Sequence, residues 1–103
     1  MHMHDWTLLS ITYEWKTARV VMSFETTQGG TESVSAEGVS ELRVPQKNAW
    51  GRSVSVNKVK GPYEDANGRK TLEIEMQTGD VVVIEALTFR IPASAGASNA
   101  REN

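Results

Sequence analysis

The stretch Leu9-Ser10-Ile11-Thr12-Tyr13-Glu14-Trp15-Lys16-Thr17-Ala18-Arg19-Val20-Val21-Met22-Ser23-Phe24-Glu25 decides the fold. Apolar and polar residues alternate on both sides of Lys16-Thr17, which is the two-residue period of a strand. With those two residues as the turn, antiparallel pairing sets Trp15 opposite Ala18, Tyr13 opposite Val20, Ile11 opposite Met22 and Leu9 opposite Phe24. On the other face Glu14 meets Arg19 and Ser10 meets Ser23. A slip of one residue would break both faces at once. The stretch reads as a β-hairpin with Trp15 and Phe24 in the core, although Lys-Thr lacks the glycine that tight hairpins favour.

A second hairpin follows from the same test. Leu72, Ile74 and Met76 alternate with Glu73, Glu75 and Gln77, Thr78-Gly79 supplies a turn, and Asp80 to Leu87 returns. A two-residue turn pairs Met76 with Val81 and Ile74 with Val83 on the core face. Val82 and Ile84 then lie on the other face, against Glu75 and Glu73. An apolar pair there needs cover from the tail, a second sheet or a twin subunit, so Val82 and Ile84 are candidate self-association residues.

Between the hairpins, Thr31 to Gly38 and Val39 to Val44 read as short strands after the Gln28-Gly29-Gly30 turn. Arg52 to Lys60 places Val54 and Val56 inward, Gly61-Pro62 ends it, and Tyr63 to Arg69 is a loop around Asn67-Gly68. No apolar stripe keeps helical spacing for three turns. About seven short strands with closely spaced turns predict an all-β, single-domain antiparallel sandwich or flattened barrel. The domain spans residues 4–91. From Pro92 the small, repetitive residues to Asn103 predict a flexible C-terminal tail.

Composition excludes several function classes. The chain has 103 residues, 11 basic against 13 acidic side chains and no cysteine. Nucleic-acid binding usually leaves a basic excess, and none is present. The apolar run Val81 to Ile84 is far shorter than the roughly 20 residues of a membrane-spanning helix. The start, Met1-His2-Met3-His4-Asp5-Trp6, lacks the regions of a secretion signal. Without cysteine there are no disulfides and no thiolate metal sites. A cytoplasmic protein that binds neither nucleic acid nor membrane is expected.

Catalytic chemistry finds little to stand on. His2, His4 and Asp5 share alternate positions, but terminal residues are usually mobile and no further histidine completes a metal site. Any Ser-His pair would need the N-terminus folded over the site. Glu73 and Glu75 alternate on an exposed strand face, where solvated charges that discourage edge pairing are the simpler account. Glycines 29, 30, 61 and 79 are turn positions without a phosphate-binding pattern. No enzyme, cofactor or metal is expected.

Pro45-Gln46-Lys47-Asn48-Ala49-Trp50-Gly51-Arg52-Ser53-Val54-Ser55-Val56-Asn57 is where recognition is expected. A tryptophan on a loop beside glycine offers wide, rigid contact area at little entropic cost. Ser53, Ser55 and Asn57 then line one face of a strand, with Arg52 beside the turn. The candidate partner- or ligand-binding residues are Trp50, Arg52, Ser53, Ser55 and Asn57. Trp50 could equally plug the core beneath its loop, with Gly51 allowing the bend. In a small-ligand module Trp50 would stack on a sugar or other planar group while Ser55 and Asn57 hydrogen-bond it. In a protein-binding module it would stand out on a flat surface.

Four segments together resemble a group of small, uncharacterised bacterial proteins over most of residues 4–91. They are His4-Asp5-Trp6-Thr7-Leu8, Ala36-Glu37-Gly38-Val39, the run Trp50 to Asn57, and the Glu73 to Asp80 hairpin. These proteins in turn look like the small all-β immunity proteins of bacterial polymorphic toxin systems, which share a Trp-Gly-x-Ser segment before a strand. The resemblance implies a cytoplasmic protein that binds and blocks a toxin, and it carries over no catalytic residue. A net charge of -2 departs from the strong acidity common where the toxin attacks nucleic acid. A protein partner, a toxin or a second copy of the chain, is therefore the first expectation.

Overall fold

The computed structural model describes residues 2–51 and 54–95. It is all-β: β1 (Thr7–Glu14), β2 (Arg19–Glu25), β3 (Thr31–Glu37), β4 (Glu41–Arg43), β5 (Val54–Glu64), β6 (Lys70–Met76), β7 (Val81–Ala86) and β8 (Thr88–Arg90), followed by a single 3-10 turn, Ala93–Ala95. All pairings are antiparallel, in the order β4-β7-β6-β5-β1-β2-β3-β8. β3 runs into β4 across Gly38–Ser40, and β7 runs into β8 across Leu87, so each forms one bent strand. Hydrogen bonds from Leu87 N to Glu37 O (3.1 Å) and from Ser40 N to Glu85 O (2.9 Å) carry the pairing around the bend. The two ends of the sheet thus meet at one corner and close it into a flattened barrel, 37 × 35 × 22 Å.

The first hairpin keeps the register its two faces predict from Ser10 to Glu14. Its turn, however, takes four residues, Trp15 to Ala18, with Ala18 at φ 51° and its N–H on Trp15 O. Trp15 therefore leaves the core and is 80% exposed, stacked over Tyr13 with ring centroids 4.4 Å apart. A bulge between Leu8 and Ser10 brings Leu8, not Leu9, opposite Phe24. Leu9 is turned outward.

In the second hairpin the connection is three residues long. Met76 N donates to Asp80 O and Gly79 N to Met76 O, with Gly79 at φ 98°. That glycine-bulged turn shifts the pairing by one residue, setting Ile74 opposite Val82 and Leu72 opposite Ile84. A one-residue shift exchanges the faces of a strand. Val82 and Ile84 are each 1% exposed and lie in the core of their own chain, so they cannot form the self-association face expected of them.

The core is continuous between the two halves of the barrel. Met22, Phe24 and Val34 on one side face Val56, Leu72, Ile74 and Ile84 on the other. Trp6 tilts over Phe24, centroids 6.1 Å apart, and caps one end. Three differences lie at the margins. β5 continues through Gly61-Pro62 to Glu64 by a bulge, so that pair does not end the strand. Met3 is buried, and His2 N donates to Ala95 O, which ties the N-terminal segment to residues 92–95. Ala95 is buried as well, so residues 92–95 of the expected tail pack as part of the domain; residues 96–103 lie outside the described residues.

Candidate functional site

Residues Val44 to Gly51 leave β4 and return toward β5, and one carboxylate holds them. Asp80 begins the return strand of the second hairpin and is 5% exposed. Its Oδ2 accepts hydrogen bonds from Trp50 Nε1 (2.8 Å), Thr78 Oγ1 (3.1 Å) and Asn48 N (3.3 Å), and its Oδ1 from Lys47 N (3.3 Å). Asn48 Nδ2 donates in turn to Thr78 O (3.1 Å). The indole N–H, followed by the Asn48 N–H, the Thr78 hydroxyl and the Lys47 N–H, holds the Asp80 carboxyl below the usual range, with burial acting in the opposite sense. A loop without regular structure is thereby fixed to the sheet through four donors.

The fixed indole forms one wall of an apolar groove of about 460 Å³. Leu9 and Ile11 of β1 form the opposite wall, and Leu42, Val44 and Val54 line the rest. The groove exists because β1 and β5 part company early. Only Thr7 and Leu8 pair with Ser55 and Val54 among the described residues. Beyond that point the side of β1 away from β2 looks onto the 44–51 loop. Among the described residues the polar side chains in the groove are Ser10 and Gln46, both uncharged. Described lining residues that are mostly apolar and carry no charge suit an uncharged segment better than a charged ligand.

The sequence candidates divide. Trp50 is half-buried: it packs against the core, as a plug would, and also shows a face to the groove. Ser55 and Asn57 are on β5 with the opposite parity to the buried Val54 and Val56, so they do not enter the groove. Asn57 instead donates from Nδ2 to Glu75 Oε2 (3.0 Å), and its carbonyl oxygen is 2.7 Å from His4 Nδ1. A pocket combining Trp50 with Ser55 and Asn57 is therefore not assembled. Arg52 and Ser53 lie outside the described residues. Among the described residues no cluster of three or more His, Asp or Glu is placed to hold a metal ion. No described helix is long and apolar enough to cross a membrane.

Asp80, Leu42 and Leu9 escaped the sequence reading. Asp80 looks like an ordinary strand start, and its partners in the 44–51 loop are 30 or more residues away. Leu9 was expected inside, and only the bulge brings it to the groove.

No protein-family model matches the chain, and no curated protein does. Among solved structures, the chain is similar to that of an uncharacterised protein from Neisseria gonorrhoeae, with a TM-score of 0.59 and 13% identity over 84% of this chain and 89% of the other. At that identity the likeness is one of fold.

Proposed function

We propose that this chain is a protein-binding β domain whose contact surface is the groove between β1 and the Trp50 loop. The observation that carries this is the Trp50–Asp80 hydrogen bond beside the apolar groove. An indole whose N–H is already satisfied can present its face to a partner with little ordering cost on binding. A binding role, rather than a catalytic one, and a cytoplasmic setting belong to the same proposal. An immunity role, with a toxin as the partner held and blocked, is one form of it and rests on the Trp50-Gly51 segment. Small-ligand binding is second, since Ser55 and Asn57 face away from the groove.

Random linear peptides displayed on phage and selected on the purified domain provide the test. Selection is expected to enrich apolar segments that shift Trp50 emission in a Trp6→Phe, Trp15→Phe background. Their affinity should fall at least about tenfold in Leu42→Glu, the equivalent of roughly 1.4 kcal/mol. Enrichment only of peptides indifferent to Trp50 emission and to Leu42→Glu would overturn the proposal.

A further inference from the structure

Among the described residues β1 has a bare edge, and its sequence is self-complementary. From Ser10 to Glu14 it pairs with β2 on one side and with no strand among the described residues on the other. Leu9 and Trp15, which flank that stretch, are the most exposed large apolar side chains among the described residues, at 54% and 80%. Ile11 and Tyr13 between them are half-buried, and Trp15 lies over Tyr13. Edges left bare in soluble proteins are usually blunted by lysine, proline or inward charge. Between Leu9 and Trp15 the single charge is Glu14.

We propose that this edge pairs with the same edge of a second copy, β1 against β1, antiparallel about a two-fold axis at Thr12. The proposal rests on the groove being a partner surface, and it names the partner. In this register Ile11 faces Tyr13 of the second copy, Leu9 faces its Trp15, and Ser10 faces its Glu14. Every large apolar side chain of the edge gains an apolar neighbour, and no like charges meet. Centring the pairing on Ile11 instead sets Trp15 against Thr7, whose edge β5 already occupies. Centring it on Tyr13 sets Leu9 against Thr17, two residues further into the turn than Trp15, which directly follows β1. Two-fold pairing of one patch with itself closes at a dimer, and the bare edge disappears.

Because the chain lacks cysteine, a single Thr12→Cys substitution reads the axis directly. Paired residues on such an axis hold their Cβ atoms about 4.5–5.5 Å apart, close enough for a disulfide after a small shift. Oxidation at roughly 100 μM, where even a micromolar contact is filled, should give mainly covalent dimer. Thr27→Cys, exposed on a distant turn, should stay monomeric over the same time. The unmodified protein should sediment as a dimer, and Trp15→Lys as a monomer with an unchanged circular dichroism spectrum. A monomeric unmodified protein, a dimer that survives Trp15→Lys, or cross-linking of Thr12→Cys no faster than of Thr27→Cys would each overturn the pairing. A monomer that still takes the groove-selected peptides rejects the pairing and keeps the groove. A monomer that takes none rejects both.

Discussion

The indole N–H of Trp50 donates to Asp80 Oδ2 at 2.8 Å, and this contact ties an irregular loop to the turn of a distant hairpin. It makes the shape of the groove depend on the charge of one carboxylate. Because the folded protein holds the Asp80 carboxyl below its usual range, its stabilising contribution is complete above the unfolded value, near pH 4. The contribution is lost as pH falls through the depressed folded value. Asp80→Asn should therefore melt below the unmodified protein at pH 7, and the gap should narrow below about pH 4. Melting curves against pH check this; parallel profiles would disprove it. Trp50→Phe, which keeps a ring but loses the N–H, should weaken the same pH dependence.

The corner where the barrel closes makes its own prediction. Gly38 has φ 68°, and a Cβ there would lie 2.7 Å from Leu87 Cδ1 and 3.0 Å from Leu87 Cβ. Its carbonyl also accepts Arg69 Nη2 at 2.7 Å, so the backbone is held in place. Gly51 has the same φ of 68° with nothing within 4 Å of a built Cβ. Gly38→Ala should cost more stability than Gly51→Ala, which carries only the backbone strain of roughly 1 kcal/mol or more. Adding Leu87→Ala to Gly38→Ala should recover part of the difference. Equal costs at the two glycines, measured by urea unfolding, would contradict the steric account.

Ile84 separates core from surface directly. Its burial predicts that Ile84→Ala costs roughly 2–5 kcal/mol and that Ile84→Lys fails to fold. A surface residue would tolerate both within about 0.5 kcal/mol. Thermal melting of Ile84→Ala decides between them.

Where two faces had to agree, the sequence was legible. The first hairpin offered an apolar face and a Glu14–Arg19, Ser10–Ser23 face, and from Ser10 to Glu14 the pairs of both held, while Trp15–Ala18 and Leu9–Phe24 did not form. What failed were the lengths of the connections. Trp15 alternates like a strand residue but belongs to a four-residue turn, and Thr78-Gly79 is two-thirds of a three-residue connection. The first error leaves the register intact and takes Trp15 out of the strand into the turn, whereas the second is a single residue that, in a strand of period two, brings Val82 and Ile84 into the core. The candidate site was half legible for a related reason. Trp50 stands out as a loop aromatic, whereas Asp80, Leu42 and Leu9 reach it only through long-range pairing and a bulge, neither of which leaves a local pattern.

The N-terminal residues give the last prediction. A chain end carrying His2 and His4 reads as solvated, yet Asp5 N donates to Val56 O, Trp6 N to Met3 O and His2 N to Ala95 O. These bonds fold the segment back and bury the Met3 side chain in the core. Met3→Ala should leave a cavity and lower the melting temperature by roughly 10 °C or more. Met3→Leu, of similar volume, should restore most of it. Ala95→Glu should be as damaging as Met3→Ala, since it forces a charge into the same end of the barrel. A melting temperature unmoved by both Met3→Ala and Ala95→Glu would mean that the two termini do not close the core.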